Sequence, residues 1–284
     1  MNTGFAAFKL FTLDSDKTIE SISKVLDSIN ETINNMVNLL SQDPSTMSEL
    51  WNIVESAVNI SKTIALVLVV LYWLTHFIFA ITEMDWRNIS IWWYFREIVK
   101  LILAKALIDI APDLCLSIFQ FGAWAMQKYM FVGNISGDIF TNMNYDVLKA
   151  SLEEMGFMEH LFFRIDLLVP KFIMWICNIA IQVVAYCRIL QVCLMSIISS
   201  IPMATVASSS RHGAAIYFIK EYVGVVGQAV IIILAMLLYK GIVNSIIACD
   251  IGSFEGLMKI CMSTVVLAIT IFSAQKLAKM FVGH

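Results

Sequence analysis

Between Thr63 and Thr82 lie 20 consecutive residues without a Lys, Arg, Asp or Glu. A hydrocarbon core of about 30 Å is crossed by roughly 20 helical residues rising 1.5 Å each. Lipid offers no water to unpaired backbone groups, so a run of this kind must be a helix that satisfies its own N–H and C=O groups. Further apolar runs follow. Tyr222 to Tyr239 is charge-free and extends toward Ala248, and a last span runs from about Leu257 to Ala278, closed by Lys276 and Lys279. Two stretches are longer than one span. Leu167 to Ala207 is broken only by Pro170, Lys171, Arg188 and Pro202. Ile98 to Val132 is interrupted by Lys100, Lys105, Asp109, Pro112 and Asp113, which predicts a broken or strongly tilted helix with Pro112 opening its second half.

Composition supports the same class. With 59% hydrophobic and 14% charged residues, too few charges remain to coat a water-facing surface, and a net charge of −3 gives no basic field for nucleic acid. The expected fold is all-α: a polytopic membrane protein of about five transmembrane helices, two of them long or broken, plus an N-terminal amphipathic helix. The start, MNTGFAAFKLFTL, lacks a basic n-region and a small-residue cleavage site, so no removable signal peptide is expected.

Residues 1–59 read as a separate, acidic region, with three Lys against eight Asp and Glu. Within it Ile19, Ile22, Leu26, Ile29, Ile33, Met36 and Leu40 are spaced 3, 4, 3, 4, 3, 4, an unbroken heptad stripe that Asp43-Pro44 ends. So narrow a stripe must pack on another helix or lie on a membrane surface. Self-association is the use carried forward, with packing inside the chain and contact with lipid as the others. Residues 60–284 form the transmembrane domain, with a polar loop at 133–165 that holds an acidic helix near Tyr145–Glu159. Ile91-Trp92-Trp93-Tyr94-Phe95 suits the headgroup zone.

Basic residues in short loops set orientation. Arg87 and Arg96, Arg211 and Lys220, and Lys276 and Lys279 fall on one side if the spans number about five. That places the N-terminus and the 133–165 loop outside and the C-terminus in the cytoplasm of a bacterial cell.

Enzyme chemistry has no foothold. There is no His-Glu-x-x-His, Gly-x-Ser-x-Gly, phosphate-binding Gly-x-x-x-x-Gly-Lys or Gly-x-Gly-x-x-Gly. His76, His160, His212 and His284 are far apart, with no evident carboxylate partner. The six cysteines form no Cys-x-x-Cys pair and read as small buried hydrophobes, a Cys249–Cys261 bridge being the one alternative. Neither a metal site nor a cofactor is expected beyond structural lipid.

Polar groups inside spans carry more information, because lipid makes them costly. Arg188 has Gln191 one turn away, and Asn178 and Gln182 share another face of the same segment. Lys105, Asp109 and Asp113 form an i, i+4, i+8 row. The bland expectation is helix–helix glue, with Lys105 paired to Asp109 and Arg188 reaching Asp109 or Asp113. The functional one is the lining of a hydrated path. Gln228, four residues after Gly224, suits close packing with an interhelical hydrogen bond.

The segment Ile201-Pro202-Met203-Ala204-Thr205-Val206-Ala207-Ser208-Ser209-Ser210-Arg211-His212-Gly213 ends one long apolar helix. Tyr217, Lys220, Gly224 and Gln228 then run straight into the next span. This resembles the TrbL/VirB-type polytopic inner-membrane channel subunit of conjugative type IV secretion systems. In that family a long span ends in a Pro- and small-residue turn before a helix bearing Lys and Gln re-enters the membrane. The family-like turn residues are Pro202, Ser208, Gly213, Lys220 and Gly224. The large cytoplasmic C-terminal extension of some members has no counterpart before His284. The resemblance implies a channel or scaffold subunit that helps pass a single-stranded DNA–protein substrate across the cytoplasmic membrane. It also implies several copies of the chain, and partners among other secretion subunits and cytoplasmic ATPases. A small-solute transporter or other membrane channel subunit is the alternative function; no two-fold internal repeat of spans supports it.

Overall fold

The structure is a computed structural model, and it describes residues 15–83, 91–133, 139–140, 145–154, 156–207, 213–249 and 254–282. All regular structure among them is helical. The helices are α1 (Ser15–Ser41), α2 (Ser48–Glu83), α3 (Ile91–Gly133), α4 (Tyr145–Glu154), α5 (Phe157–Asp166), α6 (Leu168–Ile198), α7 (Ser200–Ala204), α8 (Gly213–Cys249) and α9 (Phe254–Val282). Short 3₁₀ turns occupy Pro44–Thr46 and Thr205–Ala207. Four segments are long and apolar enough to cross a membrane: Ser48–Thr82, Leu168–Ala207, Gly213–Cys249 and Glu255–Met280. The polytopic all-α membrane class is therefore right. The remaining expected span is α3, which is 43 residues long but interrupted by charge.

The chain divides into two compact units. One takes in the described residues of Met1–Leu39, Lys128–Ala185 and Ile232–Ser273, the other those of Leu40–Gln127, Tyr186–Ile231 and Ala274–His284.

In the first unit α1 lies on α6. Ile22, Leu26, Ile29, Ile33, Met36 and Leu40 are all buried within the single chain, Ile29 and Ile33 at 0% exposure, while Ile19 is half-buried. This corrects the oligomer reading of the stripe. A fully buried Ile contributes about 1.5–3 kcal/mol, and the chain's own helices already take that burial. Polar contacts fix the register: Asn178 Nδ2 donates to Ser28 Oγ at 3.0 Å and Gln182 Nε2 to Thr32 Oγ1 at 3.2 Å. Near the start of α1, Lys149 meets Asp16 at 2.6 Å, and this partner holds the Lys149 ammonium above its ordinary range. The acidic helix of the loop is two helices, α4 and α5. Between them the Gly156 N–H donates to Glu159 Oε2 at 3.1 Å and starts the second. Tyr239 and Thr264 hydroxyls, 2.9 Å apart, join α8 to α9.

In the second unit Asp43 ends the run from α1. Its Oδ1 accepts the Ser45 N–H at 2.9 Å and its Oδ2 accepts Gln120 Nε2 of α3 at 2.9 Å. Burial pushes the Asp43 carboxyl up, but the bonds from Gln120 and Ser45 outweigh it and leave the group below its ordinary range. Helix α2 then runs unbroken from Ser48 to Glu83, so the boundary expected at residue 59 falls inside a spanning helix.

Helix α3 also runs unbroken through Pro112, which corrects the expected break. A proline inside a helix has no N–H for the carbonyl four residues back. That carbonyl belongs to Ile108, and the buried Ser200 hydroxyl of α7 donates to it at 3.1 Å. The lost ladder bond is thus replaced from a neighbouring helix. Ser200→Ala will leave the Ile108 carbonyl buried and unpaired, costing about 1–3 kcal/mol. Pro112→Ala restores the helix's own bond and should recover most of that loss, as read by unfolding of the purified protein in mixed detergent. If the two substitutions simply add, the carbonyl is being satisfied in another way.

Residues 168–207 do not fold back. Helix α6 ends at Ile198, α7 follows after Ser199, and the 3₁₀ turn continues to Ala207. All six cysteines are free; Cys261 is buried and Cys249 exposed, so the Cys249–Cys261 bridge is absent.

Candidate intramembrane polar site

In the second unit α2 and α3 form an antiparallel pair with a small-residue seam. Ala65 and Val69 share one core with Ala104, Ile108 and Ala111, joined by Met203, Ala204 and Ala207 of the turn. Further along, Phe77 meets Trp93, ring centroids 5.8 Å apart, and Trp73 stacks on Phe77 at 5.1 Å. Residues 93–111 of α3 therefore lie level with the charge-free run of α2. At that depth sits Glu97, 1% exposed. Its Oε1 is 2.7 Å from Lys100 Nζ and 3.9 Å from Arg96 Nε, and its Oε2 is 3.4 Å from His76 Nδ1. A carboxylate taken out of water persists only with counter-charge, which Lys100 supplies here.

This cluster corrects the reading that His76 lacks a carboxylate partner. The i, i+3 spacing of Glu97 and Lys100 was visible in the sequence, but the partnership with His76 is made only by the helix pair. The trio can hold one negative charge inside the membrane and pin the hairpin's register. No group of three His, Cys, Asp or Glu among the described residues could hold a metal.

The expected glue does not form as drawn. Arg188 Nη1 donates to Gln191 Oε1 of its own helix at 2.6 Å, and not to Asp109 or Asp113. Its Nε is buried with no hydrogen-bond partner. The guanidinium thus keeps its charge, half-buried, beside a neutral amide. Around it the first turns of α2 pack on α6, with Val54, Val58 and Cys193 buried together. Lys105, Asp109 and Asp113 point outward from α3, and no described residue forms an ion pair with them.

Gln228 is buried, but its Nε2 has no hydrogen-bond partner, so the interhelical bond expected from that nitrogen is missing. Gly224 is buried too, yet the tight approach falls elsewhere. A Cβ on Gly122 of α3 would land on Val226 Cγ1 of α8, far inside van der Waals contact. Sequence alone gave no reason to prefer Gly122 over the other glycines. Near the C-terminal end of α9, Lys279 Nζ meets Glu221 Oε1 of α8 at 3.3 Å.

Of the family-like turn, Pro202 is half-buried over the Ala204–Ala207 core, Gly213 opens α8 at the surface and Lys220 is exposed. Ser208 and His212 lie outside the described residues, as do Arg87 and Arg211, which were used to read orientation.

The sequence matches the profile described as TrbL/VirB6 plasmid conjugal transfer like protein over residues 29–200, from the α1 stripe through α6 to Ser200. No curated protein and no solved structure matches the chain. The match takes in the second half of the heptad helix, the α2–α3 hairpin with Glu97 and the Arg188 helix, more than half of the 284 residues. A helical, multi-pass membrane architecture and this match together place the chain in the TrbL/VirB6 plasmid conjugal transfer-like family.

Proposed function

We propose that the chain is a membrane-embedded channel or scaffold subunit of a conjugative transfer apparatus, with its N-terminus outside and its C-terminus in the cytoplasm. In this reading it works beside other transfer subunits and the cytoplasmic ATPases, and a single-stranded DNA–protein substrate passes by it. Family membership supports the apparatus. Arg188 supports the passage: a permanently charged group on a spanning helix, half-buried, held by one neutral amide and with an unused buried donor. A polyanion is attracted to such a group. A cation that merely glued helices together would have a carboxylate partner.

The test is transfer from donors that carry the chain as their sole copy. Arg188→Leu should insert and accumulate normally while transfer collapses to the level of donors lacking the chain. Asp109→Leu or Asp113→Leu should not rescue it. Normal transfer in Arg188→Leu removes Arg188 from the passage, and normal transfer in donors lacking the chain altogether removes the apparatus reading.

A further inference from the structure

The outward side of α3 carries a second seam. Phe95, Ile98, Ile102, Lys105 and Asp109 are spaced 3, 4, 3, 4, and Asp113 follows one turn on. At 100° per residue these side chains fall within about 80° of one another around the axis. All six are exposed, with Phe95 at 55%, Ile98 at 50% and Ile102 at 63%. The heptad spacing belongs to helices that pack side by side, yet the buried side of α3 is a different one, built on Ala104, Ile108 and Ala111.

The charges make lipid a poor cover for this seam. Lys105 lies within the stretch of α3 that runs level with the charge-free part of α2, and Asp109 lies where that stretch ends, level with Ala65. Insertion scales assign roughly 2.5–3.5 kcal/mol to a Lys or Asp at mid-membrane unless it is paired or hydrated. No described residue pairs with either.

We propose that this seam is where a second copy of the chain docks, α3 against α3, with Lys105 of each copy reaching Asp109 of the other. Charge complementarity carries the choice of occupant. Copies in one membrane share an orientation, so two α3 helices meet in parallel and corresponding residues sit at equal depth. Lys105 and Asp109 are then offset by about 6 Å along the axis, a gap that a lysine side chain spans. Two reciprocal ion pairs result, flanked by Ile98 and Ile102 packed knob against knob. A passage wall facing a polyanion would instead be burdened by Asp109 and Asp113. The inference takes only the membrane setting from the proposed function, and it moves any self-association from the buried α1 stripe to α3.

Two differently tagged copies, co-expressed and extracted in mild detergent, give the test. Lys105→Asp in both tagged copies should cut co-purification about tenfold or more, and so should Asp109→Lys in both, because like charges then face each other. One copy with Lys105→Asp and the other with Asp109→Lys should restore it. A pair formed inside each helix would give no such rescue, since each variant chain stays mismatched by itself. If the single variants fail to accumulate, Ile102→Cys supplies the readout. Mild oxidation should cross-link copies through residue 102, but not through Leu103→Cys, a position about 100° away around the helix. Unchanged co-purification in the like-charge pairs, failure of the mixed pair, or equal cross-linking at 102 and 103 would each overturn the proposal. Transfer can be lost or kept in these variants independently of the outcome, so failure here is distinct from failure of the transfer reading.

Discussion

Lys100→Met will destabilise the protein by about 3–5 kcal/mol, because it strands a carboxylate that has almost no access to water. Glu97 is 1% exposed, and Lys100 Nζ at 2.7 Å is its nearest cation. Arg96, at 3.9 Å and mostly exposed, is too far and too hydrated to replace it. Pairing Lys100→Met with Glu97→Leu removes the stranded charge, and the double variant should return near to the parent or exceed it. The measurement is the fraction folded against denaturing detergent, followed by tryptophan fluorescence. Trp73 and Trp93 sit beside the cluster and will report its loss. If Lys100→Met proves as stable as the parent, Glu97 is hydrated and the hairpin does not sit at membrane depth.

Gly122→Ala will cost about 1–3 kcal/mol from a single added methyl group. The new Cβ meets Val226 Cγ1, and a β-branched side chain on a helix has little rotamer freedom to move aside. Helices α3 and α8 must therefore separate or shift. Val226→Ala makes room, so the double variant should be more stable than Gly122→Ala alone, despite the methyl groups lost. Gly213→Ala, Gly227→Ala and Gly241→Ala, where no neighbouring atom lies within 4 Å, should show no comparable loss. Equal effects at all four glycines would mean that the α3–α8 contact does not set the cost, since helix propensity by itself favours Ala over Gly.

The two errors in reading α3 share a cause. Pro112 predicted a break because, along one helix, nothing compensates a missing N–H. The donor that does so is Ser200, 92 residues from the Ile108 carbonyl it bonds. Glu97 and His76 are likewise 21 residues apart and unrelated in sequence until α2 folds back on α3. The Arg188 reading went wrong in the opposite direction. Long-range carboxylates were expected, and the structure supplies Gln191, the neighbour already visible one turn away. Each case turns on which residues of separate helices stand at the same depth, which a one-dimensional pattern does not encode.

The sequence by itself determined the class of molecule. Charge-free runs of span length leave no alternative to helices in lipid, and the 3, 4 spacing of Ile22 to Leu40 required an apolar partner for α1. The turn from Pro202 onward suggested the family, and the profile match established it on other residues, 29–200, which stop short of that turn. What only the tertiary structure decided is the pairing: that α1 spends its stripe on its own chain, that Ser200 completes the helix at Pro112, and that Glu97 is sealed between α2 and α3. Hydrophobic burial is non-directional and shows in composition and periodicity. Hydrogen bonds, ion pairs and methyl-to-glycine contacts depend on ångström-scale register between helices, and that register exists only once the helices have packed.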